Sequence, residues 1–392
     1  MNKSIRIASL FPVAILLASC GTGNSVESDA QSTASPAGPL AEFPFEIAEL
    51  ASLDEPWAIE FEPGTGNLFI TEKGGTIKFY QPASGQLGTV TGDLPTVDYG
   101  GQGGLGDFVF APDYATSKLV YLSWAEAGEG DTRGAAVGRG TLNCEERDSC
   151  RIEGLKVIWR QTPKVEGRGH YSHRIAFSPD GEYLFIASGE RQTKEPAQDR
   201  SNNLGSVVRL LPDGTPAPGN PFAGEGGVTA QVWSYGHRNI LGLHFDAKGQ
   251  LWDLEHGPAG GDELNLVKPG QNYGWPVVSG GDHYDGTPIP AHSERPEFAA
   301  PAISWNPVIA PGDFTFYSGD MFPEWRGDAL LTGLKTQAIV HVTFDGESAK
   351  EVARYDFGSR LRDIEQGPDG ALWVITDGPE GKLLKLTRAE AE

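Results

Sequence analysis

Trp57–Glu72 reads WAIEFEPGTGNLFITE, and Ile175–Glu190 reads IAFSPDGEYLFIASGE. Each is a short apolar run, a turn rich in Pro, Gly and Asp, and a second apolar run. That is a β-hairpin with its turn chemistry built in. The unit returns as LHFDAKGQLWDLE at 243–255, as IEQGPDGALWVITD at 364–377, and more weakly as FVFAPDYATSKLVYLSW at 108–124. A sixth candidate, GDALLTGLKTQAIVHVTF at 327–344, offers two strands without the motif. Copies fall roughly fifty to seventy residues apart, too far for compact blades without long loops. Radial repetition of four-stranded antiparallel sheets, an all-β propeller, is the architecture such a repeat builds. The repeats alone leave the number of blades open.

Composition agrees. Among 392 residues there are 52 glycines, 28 prolines and only 2 methionines, which suits many turns and few long helices. A net charge of −22 repels phosphate backbones, so nucleic acid is excluded as a partner. Against that background, clustered arginines carry information.

At the N-terminus Lys3 and Arg6 precede an apolar run, Ile7–Ala18, too short for a permanent membrane helix. It ends in Leu17-Ala18-Ser19-Cys20-Gly21, a bacterial lipobox pattern with Cys20 as the lipidated residue. An ordinary signal peptide with an incidental cysteine is the alternative. We expect residues 1–20 to be a lipoprotein signal, 21–42 a flexible tether rich in small residues, and 43–392 one domain. The lipid is then the only link to a membrane. Gly21 in place of an aspartate points to the periplasmic face of the outer membrane. In that oxidising setting Cys144 and Cys150 are expected to form a disulfide.

Five stretches can carry chemistry. Gly101–Gly106 satisfies GxGxxG, but Asp107–Phe110 continues as a strand where a dinucleotide site needs a helix, so that reading fails. The glycines there let the loop present Gln102. His170-Tyr171-Ser172-His173-Arg174 precedes a hairpin, where a histidine can act as a base. Tyr235-Gly236-His237-Arg238-Asn239 follows. Next come EHGPAGGDELN at 255–265 and NYGWP at 272–276, dense in oxygen donors and glycines, a ligand set for a hard cation or an elaborate capped turn. Finally, Lys335 and Arg360-Leu361-Arg362 gather cations; alternate residues of a strand share a face, so Arg360 and Arg362 lie side by side. Either an anion sits between them or they pair with Asp363 or Glu365.

Taken in order and spacing, these stretches resemble the soluble pyrroloquinoline quinone (PQQ)-dependent aldose sugar dehydrogenases of the glucose/sorbosone dehydrogenase type. The resemblance runs from Leu53 to Asp377. It implies a six-bladed propeller that oxidises aldose sugars to aldonolactones with PQQ and Ca2+, passing electrons to an unidentified acceptor. It implies His170 as catalytic base, with Arg174 as the arginine of its H-x-x-x-R motif and Arg238 stabilising developing charge. Gln102, Arg238, Asn239, Tyr284, Lys335, Arg360 and Arg362 match positions that hold PQQ. Glu263, Tyr273, Gly257 and Pro258 match calcium-binding positions, Tyr273 through its carbonyl.

The chain departs from that pattern. Ser172-His173 replaces the usual Gly-Gly, so His173 either narrows the substrate side or offers a rival base. Leu241 stands where many members have Gln. Gly169 lacks the acidic sugar contact of glucose-specialised members, and Arg191 replaces a polar residue common near the sugar. Two other readings compete: a non-catalytic calcium-binding propeller for a glycan or protein, and a propeller lactonase. Neither needs four cations for a tricarboxylate, so convergence of Lys335, Arg238, Arg360 and Arg362 discriminates.

Overall fold

The computed structural model describes residues 38–146 and 149–390. The expected signal segment with Cys20, and the tether up to residue 37, lie outside the described residues. Gly38–Ala41, read as tether, is part of the folded unit: Leu40 bridges Arg354 in parallel, and Ala41 N–H donates to the Arg354 carbonyl at 3.1 Å.

The architecture is all-β, and the hairpins fall where the repeats place them. Pro56–Phe61 pairs with Leu68–Glu72, Ser172–Phe177 with Leu184–Ser188, and Ile240–Phe245 with Leu251–Glu255. Leu105–Phe110 pairs with Leu119–Ala127 and Leu361–Gln366 with Leu372–Thr376. The motif-less sixth candidate supplies Ala329–Gly333 and Ala338–Asp345. Phe45–Leu53 pairs with Gly381–Arg388, so the two ends of the domain close one sheet.

Hydrogen bonding does not draw six separate four-stranded sheets. Among the described residues, four sheets have four strands, one has eight, and one is a two-stranded ribbon of Ala259–Gly260 with Gly281–Asp282. The eight-stranded sheet arises from one long hairpin, Arg133–Glu146 with Ser149–Arg160. Its far end, closed by the Cys144–Cys150 disulfide, reaches the neighbouring Gln86–Gly92 and pairs with it in parallel. Cys150 is thereby buried in the apolar cluster of that sheet with Phe69, Phe108 and Val120. Burying each such aromatic is worth about 1.5–3 kcal/mol.

The innermost strands form a closed ring. Pro56–Phe61, Leu105–Phe110, Ser172–Phe177, Ile240–Phe245, Pro311–Phe316 and Leu361–Gln366 each pack on the next, and the last returns to the first. Every one of the six carries a register shift early in its pairing with the following strand. A bulge re-aims the side chains beside it. The residues between the shifted pairs include Trp57, Asp107, His173, Arg174, Leu241, Asp313 and Arg362. The same irregularity, repeated six times, thus turns polar groups toward the ring's axis.

Arg174, the motif arginine, is the hub. Its guanidinium lies within 3.3 Å of Asp107, 3.2 Å of Asp313 and 3.1 Å of Asp363, and donates to the Leu241 carbonyl at 2.7 Å. It also sits 4.2 Å from the Trp57 ring centroid. One side chain on one strand therefore touches all five others. Glu60 and Glu365 also face the axis, and carboxylates outnumber the cation there. Burial, then the charges of Asp107 and Asp313, push Glu60 up to about 8. A carboxyl held above its unfolded value stabilises the fold at low pH and loses that contribution as pH rises through the folded value. Glu60→Gln is therefore expected to melt like the parent at pH 4 and to melt higher at pH 9. Equal melting temperatures at pH 9 would contradict this placement.

Candidate active site

The bulged residues Trp57, His173, Leu241 and Arg362 line a cavity of about 340 Å3 at one end of the ring. Loops between sheets complete it with Gln102, Asn239, His256, Arg360 and Asp377. Arg360 and Arg362 are not paired with Asp363 or Glu365. Both are held by Asp377, at 2.8 Å for Arg360 and 2.7 Å for Arg362. Burial acts to raise the Asp377 carboxyl, and the two arginines bring it below the usual range. Two cations share one anion, leaving net positive charge on this wall.

His170 is 6 % exposed and sits at the entry to Ser172–Phe177, next to the cavity residues Gln102, Tyr171 and Ser172 without itself lining the cavity. Its backbone N–H donates to Gln102 Oε1 at 2.7 Å. Its Nδ1 bonds Glu190 Oε1, and the other Glu190 oxygen accepts the Lys194 N–H at 2.6 Å. The carboxylate fixes the ring by one nitrogen and leaves Nε2 for chemistry, as an oriented base requires. Burial lowers the His170 pKa, and the Glu190 bond partly offsets it; the charge of Arg238 lowers it further. Glu190→Gln removes a charge that favours imidazolium, so the His170 pKa falls again. The acid limb of the rate profile is expected to move to lower pH, with kcat down about tenfold or more as the base weakens. An unmoved acid limb would contradict the pairing.

Arg238 is 5 % exposed and, among the described residues, has no ion pair. One terminal nitrogen donates to the His256 carbonyl and the other to the Tyr284 hydroxyl, both at 3.1 Å. Its Nε is buried without a partner. A buried guanidinium without a neutralising carboxylate is costly unless an anion arrives. Tyr284 is otherwise 78 % exposed. Asn239 lines the main cavity, with its Oδ1 facing the Ser172 hydroxyl at 3.4 Å. Lys335 is exposed, one residue from Leu334, which lines the cavity. Two of the four expected cations, Arg360 and Arg362, thus line the main cavity; Arg238 lines the smaller cavity that adjoins it, and Lys335 lines neither.

A second cavity, about 10 Å3 and the size of one water or bare ion, adjoins the first across His256. All four expected metal residues, Glu263, Tyr273, Gly257 and Pro258, line it, with Glu255. Asp262 braces this loop, accepting the Gly257 N–H at 2.8 Å and the Ala310 N–H at 2.7 Å. Glu263 is 7 % exposed; burial and the charge of Glu255 push its carboxyl well above the usual range. Nearby, Asn265 Oδ1 is buried without a hydrogen-bond partner, and Asp253 Oδ2 lies 3.2 Å from His237 Nδ1. Ligand atoms of His237, Asp253 and Glu255 lie within 4.8 Å of one another. Two buried carboxylates, Glu255 and Glu263, facing the Gly257–Pro258 loop around an ion-sized hole fit a hard cation.

Four contributors escape sequence reasoning. Glu190 and Asp377 each end a repeat, where they read as ordinary strand-end acids, and Trp57 reads as core. His256, inside a quoted motif, gives no sign that it separates two cavities. Arg191, expected near the sugar, is instead fully buried, donating to the carbonyls of Gly167, Gly169 and Arg133.

Comparison with known proteins follows the same lines. The sequence model of the Glucose / Sorbosone dehydrogenase family matches residues 53–385. Aldose sugar dehydrogenase YliI of Escherichia coli (strain K12) is 38 % identical over 342 residues, spanning 86 % of this chain and 90 % of that protein. The crystal structure of the soluble aldose sugar dehydrogenase from Escherichia coli in the apo-form superposes with a TM-score of 0.82 at 36 % identity, covering 88 % of this chain and all of that one (100 %). The PQQ-bound form of the aldose sugar dehydrogenase from Streptomyces coelicolor gives 0.72 at 28 % identity, covering 90 % and 99 %. With its closed ring of hairpins, its arginine-walled cavity and a match over most of its length, the chain belongs to the glucose/sorbosone dehydrogenase family of oxidoreductases.

Proposed function

We propose that this protein oxidises aldose sugars to aldonolactones with PQQ and calcium. The observation that carries the reading is a buried Arg238 without an ion pair among the described residues, next to a cavity lined by Arg360 and Arg362. Such a wall suits a ligand with several carboxylates. A glycan-binding propeller or a lactonase has no use for it.

Arg238, Arg360 and Arg362 would hold the carboxylates and carbonyls of PQQ, with Gln102, Asn239 and Tyr284 as neutral partners and Lys335 closing from the rim. Glu263, the Tyr273 carbonyl and the Gly257 and Pro258 carbonyls would hold calcium. When bound, PQQ supplies the two-electron acceptor for the sugar's hydride and calcium polarises it as a Lewis acid. His170 takes the proton of the anomeric hydroxyl at Nε2, with Glu190 stabilising the imidazolium that forms. Its lowered pKa keeps it unprotonated, and able to accept, near neutral pH. Arg238 offers its guanidinium where negative charge develops on oxygen. An external electron acceptor completes turnover.

The eight-stranded sheet is, in this reading, two four-stranded blades joined at their outer edges, which makes six blades around the ring of six inner strands. Lipidation at Cys20 would hold the enzyme at the periplasmic face of the outer membrane, where free sugars are met.

The test is dye-linked oxidation of a panel of aldoses by the calcium-loaded protein supplied with PQQ. Sugar-dependent dye reduction that disappears without PQQ supports the reading. Dye reduction absent for every aldose while PQQ is demonstrably bound would sink the proposed activity.

A further inference from the structure

His173 occupies a left-handed backbone conformation, φ 56°, as do Ser172 at 58° and His170 at 48°. Each such non-glycine residue costs about 1 kcal/mol or more, so its side chain must be held by something. The His173 ring is held on three sides. One face stacks on Trp57, centroids 4.9 Å apart and planes 11° apart. Its Nδ1–Cε1 edge lies over Gly106, where a Cβ would collide with both atoms, so this chain needs glycine there. Nδ1 itself is 2.8 Å from Ser123 Oγ.

Ser123 decides where the proton sits. Its hydroxyl oxygen accepts the Asp107 N–H at 2.7 Å, and the residue is fully buried. If Nδ1 carried the hydrogen, the hydroxyl hydrogen of Ser123 would have no acceptor among the described residues. An unmet buried donor costs about 1–3 kcal/mol. The hydroxyl therefore donates to Nδ1, and the ring hydrogen is on Nε2. His173 lines the main cavity, and Nε2 has no partner among the described residues. With Nδ1 and Cε1 packed on Gly106 and Ser123, the Nε2–Cδ2 edge is the one left to meet the cavity.

We propose that His173 is a fixed, neutral hydrogen-bond donor to the cofactor, presenting Nε2–H to a carbonyl or carboxylate oxygen. This rests on the quinone reading of the cavity and adds to it a contact from His173. The tautomer leaves Nε2 without a lone pair, so His173 is not a rival to His170 as base. Burial, then the charges of Arg174 and Arg191, hold its pKa near 3, so the ring stays neutral throughout the working range.

The experiment compares the full chain with His173→Phe, which keeps the stacked ring and deletes the donor, and Ser123→Ala, which keeps the donor and frees the tautomer. PQQ is titrated into each with calcium present, and the 15N shifts of the His173 ring are recorded without PQQ. The expected results are a protonated Nε2 in the parent, PQQ affinity about tenfold weaker in His173→Phe and a smaller loss in Ser123→Ala. Sugar KM at saturating PQQ stays unchanged. A protonated Nδ1 in the parent overturns the proposal, as does unchanged PQQ affinity in both variants, or a rise in sugar KM alone. If His173→Phe does not fold, Ser123→Ala and the ring shifts decide. Failure of the parent to bind PQQ defeats the reading of the cavity, while the ring shifts still test the tautomer.

Discussion

His170→Ala is expected to lower aldose turnover by about a thousandfold while leaving PQQ affinity within about twofold of the parent. The two effects separate because of where His170 sits. Its ring bonds Glu190 through Nδ1, its N–H bonds Gln102 and its carbonyl accepts the Arg191 N–H, and of these only Gln102 is a cavity residue. Alanine keeps the backbone N–H that orients Gln102. What disappears is a base already oriented by a carboxylate and held unprotonated by burial. Single-turnover kinetics with saturating sugar measure the loss, and a PQQ titration checks the affinity. A variant that loses both together would make His170 a cofactor holder instead.

Replacing Arg360 and Arg362 together by alanine is expected to weaken PQQ binding by about a hundredfold or more. Hydrogen bonds to a charged partner contribute about 1.5–3 kcal/mol each, and about 1.4 kcal/mol is tenfold. The change also reverses the sign of the wall. Asp377 now holds two arginines; without them it presents bare negative charge to an anionic ligand. Asp377→Asn is the companion variant: it keeps both cations and removes their tether, so it should cost less than the double replacement. PQQ titrations of both variants give the comparison. Equal affinities for the double variant and the parent would remove the two arginines from the site.

How much of this was legible in the sequence follows from what each feature depends on. The hairpins were legible because their turns are local: PDG at 179–181 and at 368–370 bends the chain with no help from elsewhere. The cation pair Arg360-x-Arg362 was legible as a cluster, although Arg360 precedes the strand Leu361–Gln366 and Arg362 falls at its bulge, so strand alternation is not what sets the two side by side. The pair's partner was not legible, because Asp377 comes from the opposite end of the next strand, Leu372–Thr376, and only the antiparallel return brings it alongside. Glu190 stands to His170 in the same relation, twenty residues away and across a hairpin. The six repeated bulges left no sequence mark. They aim Trp57, His173 and Arg174 inward, and so a tryptophan that reads as core becomes part of the cavity. Arg174 carried a motif label without a task; its contact with all five other inner strands needs the ring closed. The fusion of two four-stranded groups into one eight-stranded sheet depends on how far one hairpin reaches, and the Cys144–Cys150 spacing predicts the closure but not the reach.

The central claim is that the arginine-walled cavity is a PQQ site completed by calcium. The most direct measurement is a titration of PQQ into the purified, calcium-loaded full chain, followed by the absorbance of the bound quinone, and repeated after chelation of calcium. The account predicts saturation at one PQQ per chain at micromolar concentration or below, with binding lost on chelation. No saturable binding with calcium present would contradict it.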